Sequence, residues 1–167
     1  MSLQVALFDG HAQRASHSQG QKQDWVQRIT ALHQKIFGEV WDSAALATHL
    51  DQSLALIIAT ADDALGYALA QYLPPQADLL FIGTLLQARR RGLALTLLTS
   101  LEAELALRGC TEILLEVAED NPGALALYRG WGATQIARRS SYYHRAKGSP
   151  VDALLFQRRL EAAIKED

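Results

Sequence analysis

Apolar side chains recur along this chain with two spacings, and each change of spacing marks an element. Residues 3–8 form a short apolar run that predicts a first strand. The stretch at about 9–23 is polar and aperiodic, so it reads as a mobile loop. From Asp24 the spacing turns helical: Trp25, Ile29, Leu32 and Ile36 share one face, and Gly38 stops the helix. Asp42-Ser43 offers an N-cap to a short helix carrying Leu46 and Leu50.

Strand-like patterns follow. Residues 54–60 and 65–73 predict two strands about a turn at Asp62-Asp63, with Pro74-Pro75 breaking the chain after the second. Residues 79–86 predict a third, apolar enough to be buried on both faces. A helix beginning near Arg90 repeats Leu93, Leu97, Leu101 and Leu105 on one face, and Gly109 ends it. Residues 111–117 alternate, with Ile113, Leu115 and Val117 on one side and Glu116 on the other. Asn121-Pro122 opens another helix that ends at Gly130-Trp131-Gly132. Residues 133–143 and 151–159 complete the chain as a hairpin-like pair of strands. This order is that of an α+β fold, and 167 residues suit one domain with a substantial core.

Composition removes several classes of function. Hydrophobic residues make up 49% and charged residues 20%, with a formal net charge of -2, so no overall basic field draws the protein to nucleic acid. The apolar runs are far shorter than the ~20 residues a membrane span needs, and the basic-then-apolar layout of a signal peptide is missing. With Cys110 as the one cysteine, no intramolecular disulfide forms. A cytoplasmic protein without nucleic-acid or membrane partners is expected. The histidines are scattered without ligand spacing, so no metal cofactor is expected.

The densest chemistry lies at Gln87-Ala-Arg-Arg-Arg-Gly-Leu-Ala, between an apolar strand and the first turn of a helix. A helix N-terminus exposes unpaired N–H groups and the positive end of the helix dipole. Arginines there add bidentate donors for phosphate oxygens, and Gly92 lets a ligand approach the backbone. The loop is neither a Walker loop nor the three-glycine dinucleotide fingerprint, and it suits a pyrophosphate held without magnesium. On these residues alone, a solvated helix start explains the arginines equally well.

Arg89-Arg90-Arg91-Gly92-Leu93-Ala94 resembles the Gln/Arg-x-x-Gly-x-Gly/Ala signature of the GNAT acetyltransferases, whose loop holds the pyrophosphate of acetyl-CoA. The block running from Leu115-Glu116-Val117 through Asn121 and Leu127-Tyr128 to Gly130-Trp131-Gly132 is similar to a second motif of that family. Arg139-Ser-Ser-Tyr-Tyr, with Val151-Asp-Ala, resembles the tail of its RimI-like branch, protein N-terminal acetyltransferases that modify ribosomal protein S18. The segment of Phe37 and Trp41 fits that branch too, and the likeness extends over about residues 37–160.

The resemblance implies a GNAT fold, a mixed central sheet flanked by helices, and acetyl-CoA as cosubstrate. The backbone of Ile82, Gly83 and Thr84 would hold the pantetheine arm and polarise the thioester. Arg89, Arg90, Arg91, Gly92, Leu93, Ala94 and Leu95 would hold the pyrophosphate, and Asn121 would add a contact. Glu116 would be the general base and Tyr128 the general acid in direct transfer to an amine. The protein N-terminus is the leading acceptor. A small-molecule amine, a lysine side chain and a non-catalytic acyl-CoA-binding role are the alternatives. Without the resemblance, Glu116 is a solvent-facing strand residue and Tyr128 a core aromatic sharing a face with Leu125. Tyr142 and Tyr143 either line a peptide channel or extend the last strands. Departures lie mainly on the acceptor side: Val151 replaces a glutamate, and the polar stretch after residue 8 has no counterpart. Leu85-Leu86-Gln87 also replaces the family's apolar-Asp-Pro.

Overall fold

The run Leu54 to Ile58 places five consecutive apolar side chains in the interior, each 1% exposed or less. A strand can bury both faces only when layers cover it on both sides. The computed structural model supplies them. It describes residues 2–13, 19–38, 41–61, 63–144 and 148–161. The elements are β1 (Gln4–Asp9), α1 (Gly10–Gln13), α2 (Gln19–Phe37), α3 (Ser43–Leu50), β2 (Ser53–Ala59), β3 (Ala64–Leu73) and β4 (Gln76–Thr84). They continue with α4 (Leu93–Leu107), β5 (Glu112–Ala118), α5 (Pro122–Gly130), β6 (Thr134–Tyr143) and β7 (Val151–Arg159). All seven strands join one sheet in the order β1-β2-β3-β4-β5-β7-β6. Neighbours are antiparallel except β4 and β5, which run parallel.

Strand alternation assigns the covering layers. Tyr67 points to one face and meets His33 of α2, with the phenol oxygen 2.7 Å from His33 Nδ1. Tyr72, of opposite parity, donates at 2.8 Å to Asp9, which also binds Arg108 at the end of α4. Helices α2 and α3 therefore cover one face and α4 the other. Leu93, Leu97, Leu101 and Leu105 are the buried stripe of α4, as their spacing predicts.

Local signals act as expected at several ends. Asp42 accepts from the Ala45 N–H at 3.0 Å and caps α3, and Gly38 closes α2 with φ of 75°. The polar stretch at about 9–23 differs from its sequence reading. Asp9 ends β1, residues 10–13 and 19–23 are helical, and residues 14–18 lie outside those described. The reason is tertiary, because α2 is anchored by Trp25 and Val26 in the core and its polar first turns extend outward from that anchor. Asp62 also lies outside the described residues, while Asp63 accepts from the Thr60 N–H across the turn. The hairpin-like pairing of β6 and β7 is present, with β7 inserted between β5 and β6.

β4 corrects a second expectation. It ends at Thr84, its Asp78 is exposed, and residues 80–83 are only half-buried. Its pairing with β5 stops at Asp78 opposite Leu114, while its pairing with β3 continues to Thr84. Beyond Asp78 the two parallel strands part, so one edge of β4 opens into a cleft.

Candidate active site

That parting is the centre of the site. The β4 backbone beyond Asp78 keeps its hydrogen bonds to β3 but, among the described residues, has no strand on its other edge. Main-chain groups there are available to an extended ligand that adds itself as a strand. A bulge at Leu80 shifts the register between Phe81 and Leu79 and bends this edge.

Beyond the end of β4 the chain makes a 3-10 turn at Leu86–Ala88 and then two residues with positive φ, Arg90 at 58° and Gly92 at 77°. Glycine meets the second requirement without strain. An added Cβ at Gly92 would find open space, so backbone conformation demands glycine here independently of any ligand. Helix α4 starts at Leu93, and its first intrahelical bond is from the Thr96 N–H to the Gly92 carbonyl. The N–H groups of Leu93, Ala94 and Leu95 precede that bond and point out of the helix end, where a helix N-terminus favours negative charge.

A cavity of about 560 Å³ lies before this helix end. Ile82, Gly83, Thr84, Arg89, Arg90, Gly92, Leu93, Ala94, Leu95 and Asn121 line it. These are ten of the eleven positions expected to hold acetyl-CoA; Arg91 is exposed and outside the lining. Asn121 accepts from the Ala124 N–H at 3.1 Å to cap α5, leaving its amide N–H groups for a ligand. The sequence reading did not include Ile36, Phe37, Ala88, Gly123, Ala124 and Leu127, which complete the walls. Gly83 explains the first two: a Cβ there would lie 2.6 Å from Ile36 Cγ2, so glycine lets α2 press onto β4.

A second cavity of about 590 Å³ adjoins the next stretch of β4, residues 79–81. Glu116, Arg139, Tyr142 and Tyr143 stand around it. Glu116 is half-buried and its Oε1 is 2.7 Å from Arg139 Nη1. The Arg139 guanidinium also lies over the Tyr142 ring, 5.5 Å from its centroid. Asp152 shapes this wall: it accepts from the Ser141 N–H at 2.8 Å and from Arg138 Nε at 2.5 Å. Ser141 has φ of 54°, so this carboxylate holds a strained backbone turn beneath the two tyrosines. Nothing in the local sequence around Arg139 or Asp152 announces these pairings. Tyr142 and Tyr143 both face the cavity and belong to the last turn of β6.

Tyr128 is 7% exposed, packs against Phe156 and lines neither cavity. Burial, with a smaller contribution from Tyr143, pushes its phenol up to about 12. Burial and Asp9 likewise push Tyr72 up to about 12. A raised folded-state pKa favours the neutral phenol in the native protein. The resulting stabilisation is complete below the unfolded value of ~10 and is lost as pH rises toward 12. Urea unfolding at pH 9 and pH 11.5 is expected to differ, with Tyr128 alone accounting for about 2 kcal/mol of lost stability across the window. Tyr128→Phe flattens the dependence, and an unchanged slope would show that the phenol is not desolvated.

Among the described residues, no three His, Cys, Asp or Glu side chains gather as metal ligands. Trp131 is a packing residue, donating to Glu102 at 2.8 Å beneath the Arg158 guanidinium.

Comparison with known proteins accords with this geometry. The [Ribosomal protein bS18]-alanine N-acetyltransferase of Salmonella typhimurium is 38% identical over 90 residues, 53% of this chain and 61% of that protein. Its Haemophilus ducreyi counterpart is 33% identical over 94 residues, 56% of this chain and 65% of that protein. The chain thus matches less than two thirds of the length of these curated relatives. In fold it is similar to the crystal structure of the Escherichia coli ribosomal-protein-S18-alanine N-acetyltransferase. That likeness has a TM-score of 0.79 at 22% identity over 98% of this chain and 97% of that one. It is also similar to Arabidopsis thaliana NAA60 in complex with a bisubstrate analogue, with a TM-score of 0.74 at 14% identity over 97% and 100% of the two chains. The sequence pattern of the Acetyltransferase (GNAT) family matches residues 26–133, a span that contains the parting strands, the arginine-glycine loop and Glu116. The chain belongs to the acetyltransferase (GNAT) family.

Proposed function

We propose that this protein transfers the acetyl group of acetyl-CoA directly to the α-amine at a protein N-terminus, a ribosomal protein being the favoured class of acceptor. The observation that carries this reading is the succession of two cavities along the open edge of β4. One has the donors suited to a pyrophosphate and a pantetheine arm, and the next has a carboxylate between tyrosines. The curated relatives, whose names specify an alanine N-terminus of bS18, support the choice of acceptor.

Bound acetyl-CoA supplies an activated acyl group as a thioester. The N–H groups of Leu93, Ala94 and Leu95, with Arg89 and Arg90, neutralise the pyrophosphate. The β4 edge at Ile82, Gly83 and Thr84 pairs with the pantetheine and donates to the thioester oxygen, where negative charge grows in the transition state. Glu116 removes a proton from the incoming ammonium, directly or through one water. An α-amine titrates near ~7.7–8.0, so the base has a modest task. Tyr128 stays protonated to about 12. The freed amine attacks the thioester carbon, the C–S bond breaks and the second nitrogen proton passes to solvent. A phenol at that value cannot fully protonate a thiolate near ~8.5, so CoA leaves as the thiolate with a hydrogen bond from Tyr128. Tyr128 lines neither cavity, so this contact requires its buried side chain to move toward the first cavity.

Release of CoA thiol from acetyl-CoA tests the proposal. A peptide beginning with a free alanine is compared with the same peptide blocked at its N-terminus. Release with the free peptide alone supports Nα-acetylation. Equal release with a blocked peptide containing lysine would replace the acceptor by a side-chain amine. No release with either, while acetyl-CoA still raises the melting temperature, would send the search to small amines.

A further inference from the structure

A third cavity, of about 640 Å³, continues the same furrow toward the β3–β4 hairpin. It shares two residues with the glutamate cavity, Gln71 and Asp78, which face one another across β3 and β4. The β4–β5 edge is closed at Asp78, so the furrow runs over the face of the sheet there, from Glu116 past Leu114 and Asp78 to the third cavity.

The charges along this furrow are uneven. Glu116 is held by Arg139 at 2.7 Å. Asp78 is exposed, and its carboxylate accepts only from the neutral Gln76 amide, at 3.1 Å, among the described residues. Gln71 is engaged sideways, donating to Gln52 at 2.8 Å. Asp78 is therefore a carboxylate without a cation in the wall that leads away from the proposed base. Its distance is informative. Asp78 lies opposite Leu114, and Glu116 is two residues farther along β5, about 7 Å at strand spacing. An extended peptide advances ~3.4 Å per residue. With its amine at Glu116, its second or third side chain passes Asp78.

We infer that Asp78 is a specificity-determining residue that selects a cationic side chain at the second or third position of the acceptor. This rests on the N-terminal acetylation reading above. The acceptor main chain runs over the face that carries Glu116, Leu114 and Asp78, and Asp78 reads the side chain that follows. A small amine would gain nothing from it, so the subsite is of use only to a polypeptide.

The test uses the full chain, acetyl-CoA and the peptides Ala-Lys-Ala-Ala-Gly and Ala-Glu-Ala-Ala-Gly, every test lysine being trimethylated so that it stays cationic and the α-amine is the sole acceptor. The wild type favours the lysine peptide in kcat/KM by roughly tenfold at low salt, as attraction in one peptide and repulsion in the other combine. Asp78→Asn brings the two peptides close to parity and Asp78→Lys inverts the preference, while the KM for acetyl-CoA stays unchanged. High salt erases the discrimination, which a structural role for Asp78 would not produce. A ratio unchanged in both variants overturns the inference, as does a wild type indifferent to the two peptides. If neither variant folds, a lysine walked from position 2 to position 5 in the wild type decides, and an optimum outside positions 2–3 overturns it. Failure of the wild type to acetylate any free N-terminus overturns the acceptor reading itself, and that result involves no Asp78 variant.

Discussion

Glu116→Gln lowers kcat for an α-amine acceptor by roughly 10²–10³-fold, the range expected when a positioned base is removed. Glutamine has nearly the same shape and still accepts a hydrogen bond from Arg139, so the walls of the cavity and the path of β5 are kept. What is lost is an oxygen basic enough to take a proton. Acetyl-CoA affinity is unchanged, because the donors for the pyrophosphate lie in the neighbouring cavity. The pH profile separates this from a packing effect. In the variant only amine already neutral in solution reacts, so its rate climbs steeply through ~8 and approaches the wild type above it. Stopped-flow thiol release across pH 6–10, with acetyl-CoA affinity measured in parallel, checks the prediction. A variant within a few-fold of wild type at pH 7 would remove Glu116 from the mechanism.

The second large effect lies at the opposite end of the sheet. Asp9 is 7% exposed and binds Arg108 Nε at 2.6 Å, the Tyr72 hydroxyl at 2.8 Å and the His11 N–H at 3.0 Å. Arg108 also donates to the Glu104 carbonyl and carboxylate at 2.6 Å. Asp9→Ala leaves a largely desolvated guanidinium with one carboxylate and a buried phenol without its acceptor. A cost of about 3 kcal/mol follows, the low end for breaking a buried pair, because Glu104 remains. For a chain of this size that lowers the melting temperature by roughly 6–12 °C. A double-mutant cycle with Arg108→Met identifies the cause: the double variant is more stable than the two single losses predict, since no charge is stranded. Strict additivity would show that the network contributes little. Acetyl-CoA affinity at low temperature is preserved, as Asp9 lines neither the pyrophosphate cavity nor the glutamate cavity.

Much of this architecture is written in local patterns. The spacing of Leu93, Leu97, Leu101 and Leu105, the cap at Asp42, the glycine stops and the alternation through Ile113, Leu115 and Val117 depend on side chains within one or two turns of each other. Such short-range preferences act before any tertiary contact exists. The arginine-glycine loop was legible for the same reason, since strand, loop and helix start are contiguous in sequence. Its resemblance to a family motif added the cosubstrate.

Other features depended on distance along the chain. The polar first turns of α2 read as loop because their helical state rests on an anchor several residues farther on. β4 looked fully buried because its composition records apolarity and not the strand missing from its edge. Arg139 and Asp152 stood in the tail motif, but their pairing with Glu116 and Arg138 appeared only when β6 and β7 folded back beside β5. Asp9 and Arg108, 99 residues apart, could be recognised as partners only in the folded chain. The sequence by itself determined most of the helices and strands and made the arginine-glycine helix start a candidate anion site, because propensity, periodicity and helix-end chemistry are local. Only the tertiary structure decided which edge stays open, which carboxylate faces the cleft and which charges neutralise each other, because those depend on segments brought together by burial of the common core.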